Sequence, residues 1–151
     1  LNRLRRRLFE TVAAKGYDFA SYISSKAFIG RNVSTGKNVM IMENNVLQYH
    51  STIGDNAILW SGNHIGHRSV IKAHSFLSSH VVVSGFCEIG ENCFLGVNCT
   101  IGDNVKVADD CVVGGGALVL SNTQPGQIFR GAASKAERLD SYTVFGIKRG
   151  E

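Results

Sequence analysis

The chain has 151 residues, of which 44% are hydrophobic and 19% charged, with 17 Gly and one Pro. These values suit one compact domain and exclude disorder, collagen and coiled coil. The net charge of +4 comes from basic residues near the two ends, chiefly an arginine cluster at positions 3, 5, 6 and 7, so the sequence argues against a nucleic-acid-binding surface.

The first predicted element, residues 1–28, is a short helix with Leu4, Leu8 and Val12 on one stripe, followed by an extended piece over 19–23. No apolar run approaches the roughly 20 residues of a membrane span, and the first nine residues lack the apolar stretch of a signal peptide. We therefore expect no membrane insertion and a cytoplasmic location. Because the chain starts with Leu and not Met, we also expect it to be a fragment of a longer protein.

A six-residue repeat dominates residues 29–124. Fifteen of sixteen residues at this spacing are aliphatic, and none of those four places later is bulky. The aliphatic column, with one Thr, is Ile29, Thr35, Ile41, Leu47, Ile53, Leu59, Ile65, Ile71, Leu77, Val83, Ile89, Leu95, Ile101, Val107, Val113 and Val119. The repeat therefore pairs a large inward residue with a small one.

The third place after each aliphatic residue is a corner position. Fourteen of its sixteen members are Asn, Gly, Asp or His, which suggests positive φ, and the two departures are Arg68 and Phe86. A short strand and a left-handed corner in every six residues predict three strands per 18-residue coil. The sequence thus predicts an all-β fold, a parallel β-helix of about five coils over 29–124, with a C-terminal loop and tail over 125–151.

The four cysteines all fall in the small inward column, so their spacing reflects packing and not metal ligation. We expect buried free thiols, even for Cys93 and Cys111, which stack 18 residues apart. His50, His74 and His80 occupy corner positions and receive structural roles.

The two other histidines, His64 and His67, lie outside the corner column and beside its two exceptions, Arg68 and Phe86. Stacking by 18 places Gly85 above His67, and the missing side chain suggests room for a ligand facing an exposed backbone N–H. A histidine can take a proton near neutral pH, and an N–H can hold a thioester oxygen. This pairing predicts acyl transfer by direct attack, because no Ser or Cys has a nucleophile setting.

The repeat resembles that of the hexapeptide-repeat acyltransferases, whose prism is left-handed. Together with His67 and Gly85, the stretches 89–99 and 107–117 are similar to the nucleotide-amino-sugar N-acetyltransferases and sialic-acid O-acetyltransferases, over residues 17–133. The resemblance implies an acetyl-CoA-dependent transfer to an amine or hydroxyl of a sugar, in particular a nucleotide-linked amino sugar for bacterial surface glycans such as lipopolysaccharide. It also implies a homotrimer without a metal, and makes 1–28 a possible remnant of an upstream nucleotide-sugar-binding βαβ domain.

The same resemblance assigns individual residues. His67 is the base, and the amides of Gly85, Val97 and Gly115 line an acetyl-CoA groove between neighbouring subunits. His64 is an alternative base or a residue that orients His67.

Departures from the family and an unusual aromatic residue complete the candidate site. The family places a carboxylate directly after the catalytic His, whereas this chain has Arg68, a cation that favours a neutral imidazole and that we group with the substrate-binding residues. The family's Gly-x-Pro-Ala is Gly-Ala-Ala-Ser at 131–134. Trp60, in a column usually given to Gly or a small residue, is a candidate for stacking on a sugar or on adenine, or for a subunit contact.

Two alternatives stay open. A zinc carbonic anhydrase of the same fold also contains Ile-Gly-His, but the positions of its other two histidines hold Lys72 and Arg31 here. A trimeric scaffold or ice-binding surface would show regular outward columns, whereas the irregularities here gather around His67.

Overall fold

The computed structural model describes residues 2–148 and residue 150. The chain folds as a parallel β-helix with 18 two-residue strands, which form three sheets called A, B and C. The strands are numbered in chain order. Sheet A contains β1 (Tyr22–Ile23), β4 (Met40–Ile41), β7 (Ile58–Leu59), β10 (Phe76–Leu77), β13 (Phe94–Leu95), β16 (Val112–Val113) and β18 (Ile128–Phe129).

Sheets B and C follow the same pattern, with neighbours in each sheet 18 residues apart. Sheet B contains β2 (Phe28–Ile29), β5 (Val46–Leu47), β8 (His64–Ile65), β11 (Val82–Val83), β14 (Thr100–Ile101) and β17 (Leu118–Val119). Sheet C contains β3 (Ser34–Thr35), β6 (Thr52–Ile53), β9 (Val70–Ile71), β12 (Glu88–Ile89) and β15 (Lys106–Val107). The predicted parallel β-helix is confirmed; its left hand stays a prediction from the resemblance.

The solenoid is longer than the predicted five coils, because 18 strands at three per coil make about six. Parallel pairing begins at β1, which pairs with β4, and ends at β18, which pairs with β16. It therefore extends beyond the 29–124 region on both sides. The last coil is shorter than the others, since Val113 pairs with Phe129 at a spacing of 16 residues.

Three corners join the sheets. Corner AB comprises residue pairs 43–44, 61–62, 79–80, 97–98 and 115–116; corner BC comprises 31–32, 49–50, 67–68, 85–86 and 103–104; corner CA comprises 37–38, 55–56, 73–74, 91–92 and 109–110. The second residue of each of these pairs has a positive φ, including Arg68 and Phe86 at +56°. Asn122 departs from the predicted corner column, because the chain leaves the repeat there and turns at Gly126 instead.

The core is the axis of the prism. The aliphatic column is fully buried from Ile41 to Ile101, and the small inward column beside it includes all four cysteines, which are buried and unpaired. Large and small side chains alternate around the axis in each coil. Their burial contributes most of the stabilising free energy, at roughly 25 cal/mol per Å² of apolar surface.

The predicted N-terminal helix is present as α1 (Arg3–Ala14), and its side chains bind residues of corner CA. Its polar side faces the solenoid: Arg3 binds Asp110 at 2.9 Å and Arg6 binds Glu91 at 3.0 Å. Leu4 is 55% exposed, so part of the predicted apolar stripe faces outward. The arginine cluster is thus used largely for docking.

The C-terminal segment holds a short helix, α2 (Ser141–Phe145). The side chain of Asp140 accepts a hydrogen bond from the Thr143 N–H and caps its start, and Gly146 ends it in the left-handed conformation. Within the described residues, no helix has the length and apolar character needed to cross a membrane.

Candidate active site

His67 lies at corner BC, between β8 and β9, with its side chain exposed. Its backbone N–H donates to Gln48 Oε1 at 2.9 Å, and the same oxygen lies 3.2 Å from its Nδ1. The ring meets Phe86 edge-on, with centroids 4.9 Å apart. No residue in the described part of the chain forms a hydrogen bond with Nε2, so this nitrogen is available to a ligand.

Gly85, one coil further along the chain, packs directly against the imidazole. A Cβ at this position would lie 2.7 Å from His67 Cε1 and 3.0 Å from Nε2, so the ring occupies the space of the missing side chain. The prediction of an exposed N–H is wrong, because that N–H donates to Asp103 Oδ1 at 2.9 Å and Gly85 is buried. Gly85 admits the ring but does not offer a free oxyanion donor here.

Arg68 follows His67 and has an exposed side chain. Its guanidinium makes no ion pair with any residue that the structure describes, in contrast to the docking arginines Arg3 and Arg6. A free guanidinium beside the imidazole can meet an anionic group of a ligand.

His64 is the outward residue of β8. Its neighbours across the sheet are Val46 and Val82, and no hydrogen bond or ring contact joins it to His67 among the described residues. The structure therefore gives the orienting contact to Gln48 and not to His64.

Trp60 and Val97 lie together at corner AB. They line a shallow cavity of about 240 Å³ with Phe76, Ser78 and Ser79. Trp60 is 43% exposed, and its ring stacks on that of Phe76 with centroids 6.4 Å apart. This arrangement offers a flat apolar surface to a ring-shaped ligand.

The backbone around this cavity is held firmly. The Trp60 carbonyl accepts hydrogen bonds from the side-chain amides of Asn45 and Asn63, both at 2.7 Å, and both asparagines are buried. Gly115 lies one coil beyond Val97, where a Cβ would approach the Val97 carbonyl oxygen to 3.2 Å.

The predicted site residues thus fall into two groups at opposite ends of the strands of sheet B. His67, Arg68 and Gly85 belong to corner BC, whereas Trp60 and the Val97–Gly115 column belong to corner AB. Within one chain the structure does not bring these two groups together.

The inward cysteines take no part in this chemistry. Burial raises the pKa of the Cys93 and Cys99 thiols to about 12. Among residues 2–148 and 150, no three His, Cys, Asp or Glu side chains are grouped so that they could hold a metal ion. Lys72, at one of the positions where the zinc enzyme has histidine, pairs with Glu88.

Comparison with known proteins places these features in context. Residues 86–121 match the bacterial transferase hexapeptide (six repeats) family model. A comparison with curated proteins finds no significant match. Among solved structures, a His-to-Asn mutant of perosamine N-acetyltransferase from Caulobacter crescentus, in complex with CoA and GDP-perosamine, superposes with a TM-score of 0.84 at 27% identity, over 86% of this chain and 62% of that one.

Two further structures share the fold. The acetyltransferase domain of PglB from Neisseria gonorrhoeae has a TM-score of 0.83 at 25% identity, over 86% of this chain and 63% of that one. AntD, an N-acyltransferase from Bacillus cereus, has a TM-score of 0.69 at 18% identity, over 91% and 92%. The chain spans about 62–63% of the length of the first two structures. The resemblance to hexapeptide-repeat sugar acetyltransferases is therefore confirmed.

Proposed function

We propose that this chain, which carries the bacterial transferase hexapeptide repeat, is the acyl-transfer part of an acetyl-CoA-dependent sugar N- or O-acetyltransferase. The observation that carries the proposal is His67, whose ring is held at Nδ1, packs against Gly85 and has no partner at Nε2 among residues 2–148 and 150. A fixed and accessible imidazole nitrogen is what a general base requires. Relatives with the same fold are acetyltransferases, one of them bound to CoA and GDP-perosamine.

The reaction is direct attack in a ternary complex. His67 Nε2 removes a proton from the acceptor amine or hydroxyl, the nucleophile forms a bond to the acetyl carbonyl carbon, and the carbon–sulfur bond of the thioester breaks. The proton then passes from His67 to the leaving thiolate. An acyl-enzyme is disfavoured because all four cysteines are buried in the prism.

Acetyl-CoA, the co-substrate, would lie along the grooves that hold Gly85, Val97 and Gly115. Since these residues occupy two corners, a complete groove needs corner BC of one subunit beside corner AB of the next, in a closed homotrimer. The outward residues of sheet A support burial against another copy, because all seven are apolar, whereas sheet C presents mainly polar ones. The seven are Tyr22, Met40, Ile58, Phe76, Phe94, Val112 and Ile128.

The proposed acceptor is a sugar, in particular a nucleotide-linked amino sugar used for bacterial surface glycans. The proposed location of the reaction is the cytoplasm. Arg68, whose guanidinium forms no ion pair among the described residues, supplies a cation suited to a phosphate, and Trp60 supplies a flat ring suited to a sugar or a base. In this proposal residues 29–124 are the catalytic β-helix, residues 1–28 are the helix and extended segment before it, and residues 125–151 are the loop and tail.

Isothermal titration of acetyl-CoA into the purified chain tests the cofactor half of the proposal without knowledge of the acceptor. We expect saturable micromolar binding at about one cofactor per chain, or roughly 8 kcal/mol. ADP-ribose, which lacks the pantetheine arm, is the control ligand, and it should bind more weakly than acetyl-CoA. Absence of heat from a chain verified as a trimer would overturn the assignment and favour the scaffold function.

A further inference from the structure

We propose that Gln48 is a positioning residue that holds the His67 imidazole as the Nδ1–H tautomer and so leaves Nε2 as the proton acceptor. This inference rests on the proposed function for its catalytic meaning, but the hydrogen bonds that support it belong to the chain itself. Gln48 lies one coil before His67, at the end of β5, and its side chain is half-buried.

The orientation of the Gln48 amide follows from the backbone. The His67 N–H can only donate, and it points to the Gln48 side chain at 2.9 Å, so the atom facing it must be the oxygen Oε1. The same oxygen lies 3.2 Å from His67 Nδ1. Because Oε1 is an acceptor only, Nδ1 must carry the hydrogen, and a neutral imidazole then has its lone pair on Nε2.

The fold explains why a glutamine is used at this coil. At three other corners of the prism, the backbone N–H of the first corner residue donates to an Asp side chain 18 residues later, at distances of 2.7 to 2.9 Å. The pairs are Lys37 with Asp55, Gly85 with Asp103 and Glu91 with Asp109. For His67 the residue 18 later is Gly85, which has no side chain. Here the acceptor comes from the preceding coil instead, and Gln48 supplies it.

Gly85 and Gln48 therefore act together on one ring. The missing side chain at residue 85 makes room for the imidazole, and Gln48 replaces the backbone cap that the missing side chain would otherwise provide. The neighbouring Arg68 offers no acceptor to Nδ1, because a guanidinium has only donors. A neutral amide thus fixes the tautomer without adding a negative charge to the site.

The tautomer of His67 can be measured directly by two-bond ¹H–¹⁵N correlation on the full labelled chain at pH 8, with the His67→Ala spectrum to assign the signal. We expect Nδ1–H in the wild type. Gln48→Met, which has similar length and no amide oxygen, should raise the Nε2–H population, and Gln48→Glu, which restores an acceptor, should return the ring to Nδ1–H. Gln127→Met is the matched control, since Gln127 Oε1 also accepts a backbone N–H, from Gln124 at 2.8 Å, and no hydrogen bond joins Gln127 to a histidine among the described residues.

Nε2–H in the wild type, or an unchanged spectrum in Gln48→Met, would overturn the inference. Because these spectra are recorded without acetyl-CoA, their outcome is separate from the titration that tests the proposed function. On an active enzyme, Gln48→Met should lower kcat about tenfold, leave the acetyl-CoA KM unchanged and be rescued by Gln48→Glu. An equal loss in Gln48→Glu would instead point to a packing role and contradict the positioning role.

Discussion

The imidazole of His67 packs so closely against Gly85 that a Cβ at residue 85 would lie 2.7 Å from His67 Cε1. This contact couples a residue of one coil to a missing side chain in the next. The backbone N–H of Gly85 and the space left by its missing side chain have different uses. The N–H is bound to Asp103, whereas the open face holds the ring. Glycine is therefore needed at residue 85 because a side chain there would collide with the imidazole.

Gly85→Ala should therefore displace the His67 ring and lower kcat by about 10- to 100-fold, as a misplaced catalytic group does. Gly102→Ala is the matched control, since the closest contact of its Cβ would be the end of the Leu120 side chain, at 2.9 Å, which can move. Steady-state kinetics on both variants check the prediction. Equal rates in the two variants would show that the ring position is not set by residue 85.

Trp60→Ala should raise the KM of the acceptor or of acetyl-CoA by about 3- to 10-fold with little change in kcat, because it removes a stacking surface and not a reacting group. Trp60→Phe, which keeps an aromatic ring beside Phe76, should retain most of the affinity. If both KM values are unchanged in Trp60→Ala, the ring has no role in binding either substrate.

The stability of the folded chain should depend on pH through His74, whose ring meets that of Phe9 in α1 with centroids 5.7 Å apart. Burial, reinforced by Arg6, lowers the pKa of His74, while Glu91, Glu10 and Asp55 oppose the shift. Asn56 Nδ2 faces its Nδ1 at 3.0 Å, which suits a neutral ring. A lowered folded-state pKa means that the unfolded chain binds more protons, so this stabilisation is present above the ordinary histidine range and is lost as pH falls below it.

We expect the wild-type Tm to fall between pH 7.5 and 5.0 by roughly 2–4 °C more than that of His74→Asn. Asparagine suits this corner, since Asn56 and Asn92 occupy the same column with positive φ. His80→Asn, at an exposed corner with φ of +58°, is the control and should keep the wild-type pH dependence. Thermal unfolding followed by circular dichroism gives the comparison, and identical slopes for wild type and His74→Asn would refute the prediction.

The cysteines should resist alkylation in the folded chain. With pKa values of about 12, the thiols of Cys93 and Cys99 are ionised to about one part in ten thousand at pH 8, and burial blocks access as well. Mass spectrometry after iodoacetamide treatment should find these thiols unmodified in the native chain and modified in guanidinium. Rapid native modification would mean that the prism opens.

The repeat makes most of the fold predictable. A large residue every six positions with a small one between them allows only a three-sided coil, and the corner column identifies the left-handed positions even where Arg68 and Phe86 occupy them. The two ends are harder to predict. Ile23 belongs to the same spacing but precedes the unbroken pattern, and the final coil loses two residues where the chain turns at Gly126.

The site is less predictable than the fold. Column stacking correctly places Gly85 above His67, but it does not reveal where a flexible side chain goes. Gln48 reaches into the next coil and accepts the His67 N–H, for which residue 85 has no side chain to offer. The sequence signal that marks Gln48 is a long amide side chain in a column where glycine is frequent. The destination of the Gly85 N–H likewise depends on Asp103, a full coil away.

The most direct test of the account is the release of CoA thiol from acetyl-CoA in the presence of nucleotide-linked amino sugars, compared for wild type, His67→Ala and His64→Ala. We expect His67→Ala to lose at least about 100-fold in kcat while its affinity for acetyl-CoA is unchanged, and His64→Ala to retain most of its activity. Wild-type turnover by His67→Ala together with an inactive His64→Ala would contradict the assignment of His67 as the base.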